Sequence, residues 1–153
     1  MRSTKLAAGT PLPWRGAGGE ANRVHQLENR SKTLAEKVRT SLKLKYDAKS
    51  VQFIEGFIER NKLEFEDSEW PGLINSCGAF LGQCIIENYG GNWAQDEDGH
   101  VAVAFDERNK CFPFAKVSKQ FTNGLEDSVY SFYTVLPIVF KLVAKPPKRW
   151  WQF

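Results

Sequence analysis

The chain has 153 residues, 42% of them hydrophobic and 13% aromatic, which is the length of one domain with ample material for a core. Its formal net charge of +3 sits at the ends: residues 24–140 hold 13 basic against 17 acidic side chains, a net −4. A nucleic-acid-binding domain concentrates Lys and Arg on its folded surface, so that class is excluded for the body.

Residues 1–20, with Gly9, Pro11, Pro13, Gly16, Gly18 and Gly19 and almost no aliphatic periodicity, read as a disordered segment ahead of a single domain over 21–144. They also lack a continuous apolar h-region. Leu27, Leu34, Val38 and Leu42 recur on one face and predict a surface helix over 22–42. Asp47 is an N-cap signal for a second helix through Lys62, with Val51, Ile54 and Ile58, flanked by Phe53 and Phe57, as its apolar face. An acidic connector, Glu64 to Glu69, follows.

From Pro71 to Gln95 the only charged side chain is Glu87, which predicts a central, buried helix from Pro71 to the C-cap signal Gly90-Gly91. Gly78 and Gly82 each cost about 1 kcal/mol in a helix interior, so close approach of another helix or a strand is expected there. The apolar period then changes from 3.6 to 2. Asn92–Gln95, a turn at Asp96–Gly99 and the alternation of Val101, Val103 and Phe105 predict a β-hairpin, with a third short strand at Lys110–Phe112. Phe114, Val117 and Phe121 space a short helix ending at Asn123-Gly124. The last helix opens on Glu126, Asp127 and Ser128, turns Val129, Phe132, Tyr133, Leu136 and Phe140 inward, and should kink or break at Pro137. The fold class is α+β, a central buried helix with flanking helices and a small antiparallel sheet of about three strands.

Glu87 falls at the edge of the buried arc, so it needs a partner, expected in the segment Lys116 to Lys119. Lys116, Lys119 and Gln120 lie opposite Phe114, Val117 and Phe121 and form a basic patch suited to a phosphate or an acidic surface, or simply a solvated face. Asp96, Asp98 and Glu107 match positions 1, 3 and 12 of a calcium loop, but Val101 stands where the sharp turn requires glycine, which leaves an acidic hairpin tip. His100 has no Ser or Cys beside it in a nucleophile setting, and Cys111 reads as a small buried hydrophobe. Cys77 and Cys84, about 10 Å apart along one helix, cannot pair with each other, and with no C-x-x-C pair there is no zinc-ligand spacing. An odd count of three predicts free thiols in a reducing, cytoplasmic compartment. No metal and no cofactor is expected.

The pieces Ser50-Val51-x-Phe53-Ile54-x-Gly56-Phe57-Ile58, Gly78-x-Phe80-Leu81-Gly82-x-Cys84-Ile85, Tyr89-Gly90-Gly91-x-Trp93, Phe112-Pro113-Phe114-x-Lys116-Val117-x-Lys119 and Asn123-Gly124-x-x-Asp127-Ser128 resemble a small, uncharacterised bacterial domain family. The resemblance covers just over half the chain and implies domain boundaries but no activity.

Three functional expectations follow. The first is a non-enzymatic protein-binding module, such as an immunity or accessory protein, with Glu87, Trp93, Lys116 and Lys119 as candidate binding residues. The second is an enzyme pairing Glu87 with Lys116 or Lys119 in a cleft between central helix and sheet. The third is nucleic-acid or membrane-surface binding through residues 145–153, whose Lys145, Lys148, Arg149, Trp150, Trp151 and Phe153 mix bases with aromatics, unless that tail folds back on the domain.

Overall fold

The computed structural model describes residues 13–145; the N-terminal residues 1–12 and most of the basic aromatic tail lie outside the described residues. Five α-helices surround one three-stranded antiparallel sheet in the order α1 (Pro13–Leu42), α2 (Ala48–Asn61), α3 (Trp70–Tyr89), β1 (Asn92–Gln95), β2 (Val101–Ala104), β3 (Lys110–Cys111), α4 (Pro113–Asn123) and α5 (Val129–Val139). This is the α+β fold read from the sequence.

Helix α3 is the axis of the molecule. Every residue from Cys77 to Ile85 is buried, because α1 and α2, the sheet, α4 and α5 all pack on it. The two mid-helix glycines admit aromatic rings. An added Cβ at Gly82 would lie 2.0 Å from the Trp93 indole, and one at Gly78 would lie 2.5 Å from the Phe114 ring. Those rings tilt against each other at 5.8 Å between centroids, so β1 and α4 interlock over the glycine face of α3. Trp93 pairs across the ladder with Val103, which pairs in turn with Cys111, and all three are buried. Gly90, at φ +89°, ends α3 and Gly91, at φ +95°, turns the chain into β1.

Three details correct the expectations. Helix α1 starts at Pro13 rather than near Asn22, so residues 13–20 are helical and not disordered. Proline is tolerated in a first turn, and a helix already nucleated where Leu27, Ser31 and Ala35 are buried propagates outward despite the glycine cost. Phe53 is exposed, with the Arg60 guanidinium 5.3 Å from its ring centre, so the apolar face of α2 is Val51, Ile54 and Ile58 with Phe57 partly buried alongside. Pro137 lies inside α5 without breaking it; the helix ends two residues later, and the Leu142 N–H donates to the Pro137 carbonyl at 2.9 Å. Two of the other helix starts carry a side-chain cap. The Asp47 carboxylate accepts from Ser50 N at 2.8 Å to open α2, and the Ser128 hydroxyl accepts from Ser131 N at 3.0 Å to open α5.

Candidate functional site

Glu87 is exposed on α3. Its Oε2 accepts a hydrogen bond from Gln83 Nε2 at 3.0 Å, and the Gln83 Oε1 accepts one from Trp93 Nε1 at 3.1 Å. The residue one turn before Glu87 thus takes the buried polar position, and it joins a core indole to a surface carboxylate. Trp93 is only 2% exposed and belongs to the core, which removes it from the candidate binding set. Glu87 lines a groove of about 750 Å³ between α1 and α3, together with Lys32, Glu36, Lys37 and Tyr46. There the Arg39 guanidinium and, after it, the Tyr46 hydroxyl hold the Glu36 carboxyl down at about 2.

Lys116 and Lys119 line a different groove, between α4 and α5. Lys116 Nζ donates to Asp127 Oδ1 at 3.1 Å, and Asn123 holds the other carboxylate oxygen at 2.7 Å. The Asn123 amide first and Lys116 second push the Asp127 carboxyl below its usual range. The expected Glu87–lysine pair is therefore not formed: the two sides line separate grooves, and Lys116 is held by Asp127.

Gln120, expected beside the lysines, is fully buried. It stands three residues on from Val117, about 60° away around a helix, close enough to the apolar face to turn inward. Its Nε2 donates to Glu59 Oε2 at 3.0 Å and to the Glu55 carbonyl at 3.3 Å, and its Oε1 accepts from Val129 N at 2.9 Å. One amide thus ties α4 to α2 and to the start of α5. Glu55 makes a second tie there, accepting from the Ser128 hydroxyl.

Two other candidates resolve into local structure. At the hairpin tip the Asp96 Oδ1 accepts from Asp98 N and His100 N at 2.9 and 2.8 Å, and its Oδ2 lies 3.1 Å from His100 Nδ1. Asp96, Asp98 and His100 offer ligand atoms within 4.8 Å of one another, and the turn's own hydrogen bonds account for that proximity. Cys77, Cys84 and Cys111 are buried free thiols, and burial pushes Cys77 and Cys111 up to about 12 and Cys84 well above its ordinary value. A thiol so raised is a poor nucleophile.

The α4–α5 groove has a volume of about 400 Å³ and a floor of Phe112, Phe132, Leu136 and Phe140. Val135 and Val139 on its wall and Ile138 beside them, at spacings of three and four residues on α5, are 45, 65 and 77% exposed. No packing element of the described residues covers this ridge, and Lys110, Lys116 and Lys119 stand around the groove.

No family model, curated protein or solved structure matches this chain. Among the described residues no helix is long and apolar enough to cross a membrane.

Proposed function

We propose that this chain is a non-enzymatic protein-binding module whose binding face is the α4–α5 groove with the adjoining ridge of α5. The observation that carries the reading is the ridge: Val135, Ile138 and Val139 form one helical stripe of branched aliphatic side chains left in solvent. Burying each would gain about 1.5–3 kcal/mol, so a partner that covers them has a driving force that water does not offer. The surrounding lysines give the apolar centre and polar rim of an interface. Lys116 and Lys119 remain in the binding set on this reading, and Glu87 and Trp93 do not. The buried free thiols support a reducing, cytoplasmic location, and the bacterial source expected from the resemblance belongs to the same proposal.

The test is a comparison of the wild-type chain with Ile138→Glu and Val139→Glu in lysate of the native host, treated with nuclease and read by mass spectrometry. Both positions are exposed, so far-ultraviolet circular dichroism should be unchanged. A protein recovered stoichiometrically by wild type and lost by both variants is the expected result. A partner retained by both variants would overturn the reading.

A further inference from the structure

We infer that the α4–α5 groove takes an amphipathic helix of a protein partner, with apolar side chains seated on the groove floor and acidic side chains on its flanks; the inference rests on the protein-binding reading. The charge on the walls is one-sided. Lys110, Lys116 and Lys119 line the groove and no acidic residue does. Lys116 is engaged by Asp127 and lies 6.0 Å from the centre of the Phe132 ring, whereas Lys110 and Lys119 form no ion pair among the described residues. The body over residues 24–140 is net −4 with these three lysines counted, so this face is a local reversal of sign on an acidic body. The three lysines favour an acidic partner at this face, and like charges at a rim reject basic competitors.

The shape favours a helix. The groove runs between α4 and α5, with Lys110 and Cys111 of β3 and the adjoining Phe112 also in its lining, and α5 itself is 11 residues, about 16 Å long. A third helix of some three turns fits such a trough by setting its ridge into the space between the other two, with anchors spaced three and four residues apart to meet Phe132, Leu136 and Phe140. A flat lipid surface would cover the ridge but leave the floor empty.

The experiment replaces Ile138 in the full chain with the photoreactive p-benzoylphenylalanine, irradiates in the native host and sequences the adduct. The adduct segment is then made as a peptide and titrated against wild type and the Lys110→Glu/Lys119→Glu double variant at low and high salt. We expect a segment of net negative charge with apolar residues at helical spacing, bound at least about tenfold more weakly by the double variant and weakened by salt. A neutral or basic segment, or binding that ignores the charge reversal, overturns the inference and leaves the protein-binding reading standing. An adduct with a second copy of this chain, or with its own residues 146–153, also overturns the inference. A phospholipid adduct, or none at all, overturns both.

Discussion

A methyl group added at Gly82 would sit 2.0 Å from the Trp93 indole carbon Cη2, which cannot retreat because the ring is held by Gln83 through Nε1 and backed by Phe114. Gly82→Ala is therefore expected to destabilise the fold by about 1–3 kcal/mol, the usual cost of overpacking, against a helix-propensity gain of about 1. Gly72, in the first turn of the same helix with open space around it, should respond with the opposite sign when changed to alanine. Urea unfolding of the two variants checks both; equal effects would mean that the ring can move aside. That the mid-helix glycines mark a close approach was readable from their cost alone. That Trp93 and Phe114 fill the space was not, since it depends on a strand and a helix that arrive 11 and 36 residues after Gly82 and Gly78, a separation no local pattern encodes.

At the scale of elements, α4 carries the sharpest lesson. Its apolar side was plain from Phe114, Val117 and Phe121, all of which pack inward, but Gln120 is fully buried beside them. A polar residue at the border of a helical stripe can face either way; the choice was made by Glu55, Glu59 and Val129, all on other elements. Gln120→Ala is expected to cost about 2–4 kcal/mol, because it strands the buried Val129 N–H, unmakes two part-buried bonds to α2 and leaves a void. Glu87→Gln, on an exposed residue, should stay within about 0.5 kcal/mol. Guanidinium titrations with unchanged slope would read these as stability effects, and reversal of their order would refute the assignment of Gln120 as the brace. The border position also misled at Glu87, where the arc of α3 suggested burial and Gln83 supplied it instead.

For the whole molecule, the switch from a 3.6 to a 2.0 period after Gly91 placed the sheet correctly and the cap at Asp47 placed α2, whereas the last helix does not open on Glu126 and Asp127: these form a separate 3-10 turn, and α5 starts at Val129 behind the Ser128 cap. The grooves were beyond such reading, because each is a gap between elements whose mutual placement comes from packing on α3. Electrostatics adds a global expectation. Glu36, Glu59, Asp96, Asp106 and Asp127 all have carboxyl pKa values lowered by hydrogen bonds in the folded state. Groups lowered on folding lend stability above their unfolded value, about 4, and lose it as pH falls through the folded one. Stability should thus be flat above pH about 5 and fall toward pH 2, the value to which Glu36 is lowered. Glu36 and Asp106 are exposed and screened, so the change should come chiefly from the partly buried Asp96, Asp127 and Glu59, the last held by Gln120 and Lys62 between α2 and α4 although burial opposes its charge. Urea midpoints measured against pH test this, and a Glu59→Gln variant with an equally steep acid limb would show that the loss arises elsewhere. The three buried thiols, finally, make the chain its own clock. A thiol reagent in neutral buffer can modify Cys77 and Cys84 on the central helix, or Cys111 on the last strand, only while the fold is open. Comparing their labelling rates would separate whole-chain opening from a peeling of the sheet edge, without a single introduced probe.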